Sequence, residues 1–457
     1  MELKMSEQLK RGLSPRHIRM MAIGGTIGAG IFKGSADSLS LAGPGVIFAY
    51  LFAGLLLFLV MGAMAEMAGV YTQTDLRGII NKAFGSHVSF VMGWLYWVNW
   101  VLVMAVEIVA AGSFLQYWFP ELPVWFLSLI VAICILVVNV ASVRFFGEIE
   151  FWLSGIKVTT LILFIIIGSS LLLGIGAADS APQLQHYTSH GGFFPMGWTG
   201  VFSSLLIVIF SYGGTELIGL TLREAKDMER VLPKIIRGVV WRVCLFYVLP
   251  ILVICGLLPW NEIGDHGSPF VQVLSSVGLK GAAHVMNLVL LTAVVSAANS
   301  GMYATSRMLY SLAKDGEAPS VFTRLSKKGV PSYGLLVSGI SLFIGSWAAF
   351  MTPEHVFQYL MGIPGFTVLF VWITICLAQL KVRSKYPVTP SYQTRFYPYA
   401  TIFAVVSLSV ILGMVLLNIK NITSSIISLS VILVLFLLSY LKKSPADQKD
   451  SKRFAAS

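Results

Sequence analysis

Apolar residues fill this chain in long blocks separated by short polar connections, rather than in the narrow stripes of a soluble helix. About 20 apolar residues cross a bilayer. Blocks of that order recur over 18–40, 43–66, 88–118, 123–141, 150–174, 197–221, 238–259, 281–312, 332–351, 355–380, 398–419 and 423–441. The pattern predicts an all-α integral membrane protein with 12 transmembrane helices. Pro44 and Pro123 open the second and fourth blocks, where a helix start tolerates proline. The third and eighth are long enough to tilt or to project from the membrane.

Two blocks are interrupted. The first contains IGGTIGAGIF (23–32), with Gly24, Gly25, Gly28 and Gly30 crowded together. Glycine costs roughly 1 kcal/mol against alanine inside a helix, so the helix is predicted to open there. In lipid an opening is tolerated only where protein or a water-filled cavity satisfies the freed backbone groups. Small residues at this spacing also serve close helix packing. The sixth block decides between the two readings, because Phe210-Ser211-Tyr212-Gly213-Gly214-Thr215-Glu216 interrupts it near the same depth, five blocks later. Interruptions at corresponding places in two halves point to an inverted-repeat transporter. The predicted units are a segment 1–17, a first repeat 18–174, a second repeat 197–380, an added helix pair 398–441 and a tail 442–457.

Charge fixes a direction for this arrangement. If both termini are cytoplasmic, 27 of the 32 Lys and Arg residues fall in inner connections or tails, as the positive-inside rule requires. The net charge of +11 thus reports topology rather than a nucleic-acid partner. Only 12% of residues are charged, 56% are hydrophobic and the mean hydropathy is +0.80, against about 25% charged in soluble domains. No separate soluble domain is expected between the spans. Residues 1–17 show no cleavable leader, so the first span is expected to serve as its own insertion signal. Cys134, Cys244, Cys255 and Cys376 all fall in apolar blocks and are read as buried free thiols. His186 and His190, four apart in a polar outer connection, are read as solvated rather than metal-binding. No metal or cofactor is expected.

Half-helix N-termini offer N–H groups to an anion, and exposed carbonyls at the opposing ends can hold a cation. A zwitterion satisfies both, so an amino acid is the natural substrate. The Gly28-Ala29-Gly30 triplet follows no strand and lacks the third glycine of a dinucleotide fingerprint.

Several stretches together make the chain resemble a known family. They are GGTIGAGIF (24–32), AGPGVIFAYLFAG (42–54), EMA (66–68), NVASVRFFGEIEFWLSGIKV (139–158), FSYGGTELIGLTLREAKDMERVLPKII (210–236) and SAANSGMYATSRMLYSLAKDGEAP (296–319). In these the chain is similar to the bacterial amino acid permeases of the amino acid–polyamine–organocation superfamily. The resemblance implies the LeuT-type fold, with two inverted five-helix repeats and broken helices 1 and 6. It also implies import of an amino acid through the plasma membrane, driven in most members by protons. By resemblance, the main chain of Thr26, Ile27, Gly28, Ala29 and Gly30 holds the substrate carboxylate. Phe210, Ser211, Tyr212 and Gly213 line the second interruption, with carbonyls for the ammonium group and Phe210 or Tyr212 as an aromatic gate. Glu107 matches a glutamate that the family carries, Lys157 matches a lysine of proton-driven relatives, and by resemblance its ammonium stands where sodium-coupled relatives hold sodium.

Other readings of these groups stay open. Glu107 serves either structural pairing or proton relay, Glu216 can be protonated, tune the pocket or hydrogen-bond the unwound backbone, and Lys157 can snorkel to the inner surface. Glu66 is expected to pair with an inner basic residue, and Glu224 to act as a gate or as part of a solvated charged loop. Two departures from the family pattern stand out, the cytoplasmic segment GVYTQTDLRGIINKAFG (69–85) and Lys33. Secondary active transport by proton symport is the leading function. Exchange is the alternative, with an amino-acid sensor, a channel and an enzyme behind it.

Overall fold

The computed structural model describes residues 27–71, 74–141, 143–175, 184–215, 238–239, 241–263, 267–326, 329–352, 356–386, 389–390, 392–418 and 422–441. Thr26, Glu216, Glu224 and both terminal segments, 1–17 and 442–457, lie outside these residues. The described residues form helices: α1 (Ala29–Phe32), α2 (Gly34–Ala42), α3 (Val46–Val70), α4 (Leu76–Phe84), α5 (Ser86–Gln116), α6 (Val124–Ala141), α7 (Val143–Leu172) and α8 (Gly197–Tyr212). Then follow α9 (Leu249–Leu257), α10 (Pro269–Ser276), α11 (Lys280–Lys314), α12 (Ser332–Met351), α13 (Val356–Val382), α14 (Tyr399–Leu417) and α15 (Ile422–Leu441). No strand is present among the described residues.

Among the described residues, eight helical stretches are long and apolar enough to cross a membrane: Gly34–Val70, Ser86–Gln116, Glu150–Leu172, Lys280–Lys314, Ser332–Met351, Leu360–Lys385, Tyr399–Leu417 and Ile422–Leu441. Three shorter apolar helices, Val124–Asn139, Gly197–Tyr212 and Trp241–Leu257, accompany them. The chain is therefore a multi-pass helical membrane protein.

Helix α5 is the hub, packed against α4, α6, α11, α12, α13 and α15. In its most apolar stretch 72% of the residues are buried, and in α13 78%, against 22% in α7 and 28% in α14 and α15. Apolar side chains on the outer helices, such as Ile166, Trp347 and Leu433, face outward. In a bilayer this is no penalty, because lipid tails are as apolar as leucine. The same reasoning corrects the expectation that all four cysteines are buried. Cys134 is exposed and Cys244 half-buried, because each lies on an outward-turned part of its helix.

Two helices were not foreseen. Segment 69–85, the departure noted above, folds into α4, whose start is capped by Asp75 Oδ1 accepting from the Gly78 N–H at 2.9 Å. Arg77 of α4 pairs with Asp315 and Glu317 beyond the end of α11. Helix α10 docks near the opposite end of the bundle. There the Ser268 hydroxyl donates to the Phe32 carbonyl at 2.6 Å, and the Phe270 ring meets Phe32 edge-on at 5.4 Å.

Glu66 finds the basic partner expected of it. Arg383 Nε lies 3.0 Å from Oε1, while Oε2 accepts from Gln379 Nε2 at 2.9 Å and from the Thr394 N–H at 2.7 Å. A fully buried carboxylate is tolerable only when its lone pairs are met in this way. Of the two histidines, His186 bonds to the Gly256 carbonyl through Nδ1, and His190 is exposed beside Ser189.

Candidate substrate and proton site

Both glycine-rich interruptions are sites where a helix begins or stops. Gly28 is extended (φ −143°, ψ −151°), and regular helix starts only at Ala29. A second irregularity follows at Lys33, so α1 is a single short turn before α2. On the other side, α8 stops at Tyr212. Gly213 leaves the helical region (φ −54°, ψ 150°) and Gly214 turns with φ +91°, which glycine adopts without penalty.

The two ends touch. A Cβ built on Gly30 would stand 2.6 Å from the Ser211 Cα, so nothing larger than hydrogen fits between them. At Gly28 the space a Cβ would take is held by the Glu107 carboxylate. Both glycines are thus required, but the close neighbours are α5 and α8 themselves.

Glu107 reaches from α5 to the start of α1. Its oxygens accept from the Ala29 N–H at 3.1 and 3.0 Å. The first N–H groups of a helix have no partner within it, and here a buried carboxylate supplies one. Behind it stands Lys157 on α7, whose side chain is wholly buried. Its Nζ lies 4.0 Å from Glu150 Oε1, and it is within electrostatic range of both Glu150 and Glu107. The ammonium therefore does not snorkel to water. Glu150 also accepts from Ser296 Oγ of α11 at 2.6 Å and from Ser154 Oγ at 3.3 Å.

At the second interruption the carbonyls of Phe210, Ser211 and Tyr212 already accept bonds. Phe210 O takes the Gly213 N–H at 3.0 Å, Tyr212 O the Thr215 hydroxyl at 2.8 Å, and Ser211 O the Tyr247 hydroxyl at 3.0 Å. A carbonyl has two lone pairs and can accept from two donors. The Tyr212 ring points into a buried cluster with Tyr50 and Tyr247, and its hydroxyl donates to the Tyr50 carbonyl at 2.9 Å. That is a packing position. Phe210, also buried, is the remaining aromatic for a gate.

The structure thus gathers Ile27, Gly28, Ala29, Gly30, Glu107 and Lys157 with Phe210, Ser211 and Gly213 about one junction. Sequence reasoning missed Glu150, Ser296 and Tyr247. For Glu150 a signal existed, since seven residues are nearly two helical turns and place it on the face of Lys157. Tyr247 gave none. It sits in a π-helical turn, Cys244–Val248, just ahead of Pro250. No cluster of metal-ligating side chains occurs among the described residues.

Comparison with known sequences matches the amino acid permease profile to residues 17–449 of this chain, nearly its whole length. The chain belongs to the amino acid permease family. Its relatives in Bacillus subtilis (strain 168) include an uncharacterised amino acid permease, YvbW, 43% identical over 97% of this chain and 99% of that protein. A gamma-aminobutyric acid permease is 38% identical over 95% and 93%. A probable threonine/serine transporter, YbxG, is 39% identical over 83% and 82%. Family membership and the apolar helices together make amino acid transport across a membrane the activity of this permease.

Proposed function

We propose that this permease is a secondary active importer that couples one amino acid to one proton by alternating access. The fold behind this reading is the LeuT type, with twelve spans, two inverted five-helix repeats and cytoplasmic termini. The observation that carries it is the Glu107 carboxylate on the Ala29 N–H, where a helix opens against the end of another. Such a place accepts a carboxylate, and a buried ammonium stands behind it. Main-chain N–H groups from Thr26 to Gly30 take the substrate carboxylate, carbonyls from Phe210 to Gly213 take its ammonium, and Phe210 closes over it. Two carboxylates in contact cannot both stay ionised cheaply. When the substrate carboxylate arrives, Glu107 therefore takes up a proton and gives way. Lys157 takes part in the same proton step and braces α7 against the junction. Glu216, just past the second interruption, is a further proton-coupling candidate.

The test is uptake into right-side-out membrane vesicles. The probes are radiolabelled gamma-aminobutyric acid, threonine, serine and the remaining common amino acids. Uptake of at least one is expected to rise as external pH falls, to persist without sodium and to collapse with a protonophore. Lys157→Ala should lose accumulation while retaining binding. Uptake driven by a sodium gradient alone, with no response to pH, sinks the symport reading. Uptake that requires preloaded amino acid and ignores the pH gradient identifies an exchanger instead.

A further inference from the structure

The symport reading leaves the buried acid beside Lys157 unused. Glu150 lies on α7 seven residues before Lys157, about 10 Å along the helix axis at 1.5 Å per residue. In the orientation proposed above, that displacement is toward the cytoplasm. Both side chains are wholly buried. Lys157 is thus flanked by two carboxylates, Glu107 toward the junction and Glu150 toward the inner side.

Charge counting gives this trio a purpose. With all three groups ionised the cluster carries −1, and with one further proton it carries zero. A net buried charge is costly unless compensated, so the cluster is built to gain and lose a single proton. We propose that Glu150 is the inner proton station of this permease, receiving the transported proton from Lys157 and releasing it to the cytoplasm. The proposal rests on the symport reading.

The steps balance. A proton from outside adds to a Glu107 oxygen, making the neutral acid and freeing the Ala29 N–H. The Lys157 ammonium gives a proton to Glu150 Oε1, leaving an amine and a carboxylic acid. The amine then takes the proton held on Glu107, restoring the ammonium and the Glu107 carboxylate. Finally Glu150 loses its proton to inner water and becomes a carboxylate again. One proton has entered and one has left, and only O–H and N–H bonds have changed. At 4.0 Å the Lys157–Glu150 pair lies just beyond hydrogen-bond reach, and a lysine movement of about 1 Å closes the gap. Ser296 and Ser154 hold the Glu150 carboxylate in place for it.

Among the described residues, few other ionisable groups lie on the elements packed against this cluster. Helices α9 and α11 and the turn 244–248 pack against α7. From these, α11 brings Ser296 to Glu150 and has no ionisable residue between Met286 and Met302. The seventh-span region contributes Arg242, Cys244, Tyr247 and Cys255, of which Arg242, Tyr247 and Cys255 are buried. Across the junction α5 contributes Glu107.

The experiment uses right-side-out vesicles in which inner and outer pH are set separately. Its probe is the amino acid giving the largest pH-driven uptake in the wild-type screen above. Glu150→Gln is expected to lose at least tenfold in pH-driven accumulation while keeping counterflow of preloaded amino acid. Glu150→Asp is expected to accumulate but with a shifted dependence on inner pH and an unchanged dependence on outer pH. A role in packing alone would not separate the two sides. If Glu150→Gln does not fold, Glu150→Asp and Ser296→Ala carry the test through the same inner-pH shift. Unaltered inner-pH dependence in the folded variants overturns the proposal. A wild-type protein with no pH response is a different result, and overturns the symport reading itself.

Discussion

Each glycine at the junction faces a different neighbour, and substitution separates them. A side chain at Gly28 collides with the Glu107 carboxylate, a long and movable group, whereas one at Gly30 meets the Ser211 backbone. Gly28→Val is therefore expected to give a folded protein that no longer binds substrate, read by thermal shift with and without amino acid. Native affinity in that variant would remove the opening from the site. Gly30→Val should lower the unfolding temperature as well. The tyrosines divide similarly. Tyr247→Phe frees the Ser211 carbonyl and is expected to change apparent affinity in uptake. Tyr212→Phe removes a bond to the Tyr50 carbonyl, costing about 1 kcal/mol of stability with affinity little changed. The reverse ranking would return Tyr212 to the site. Its aromatic character was legible in the sequence, but its direction was not. That direction depends on Tyr50 and Tyr247, which lie 162 and 35 residues away in the chain.

Among the elements, the openings were legible because glycine acts locally, and the helices because apolar length does. Helix α4 was not, because its family-atypical residues gain meaning only from partners about 240 residues further along the chain. Arg77 ties α4 to the residues beyond α11 at Asp315 and Glu317, whose side chains are 44% and 10% exposed, so both charges still reach water when it is removed. Arg383 instead serves a carboxylate buried in the bundle. Removing one partner of a wholly buried carboxylate leaves an uncompensated charge and costs about 3 kcal/mol or more, while partners that water can still reach cost less. In detergent, Arg383→Ala is thus expected to lower the unfolding temperature markedly more than Arg77→Ala. Equal shifts would show that the Glu66 network can be met by its other donors alone. The pairing of Glu66 with an inner basic group was legible, though not which one. Arg383 lies 317 residues away, and Gln379 and Thr394 complete the shell.

Across the whole molecule, the chain's apolar blocks sort into a buried centre, α5 and α13, and an outer set that shows its side chains to lipid. Hydropathy alone cannot rank them, since both kinds are apolar throughout. Substrate choice is equally beyond it, because the junction is lined largely by main chain. The trio of Glu107, Lys157 and Glu150 has an electrical consequence. An amino acid with a neutral side chain crosses with no net charge, so in the proposed cycle the only charge moved per turnover is the proton's. Each import step then carries one positive charge inward through the membrane field. An inside-negative voltage of 100 mV supplies about 2.3 kcal/mol per charge, enough alone for roughly 50-fold accumulation at 1.4 kcal/mol per decade. With pH equal on both sides, a potassium diffusion potential set by valinomycin should therefore drive uptake into vesicles. Indifference to that voltage would mean that a compensating charge travels back through the protein.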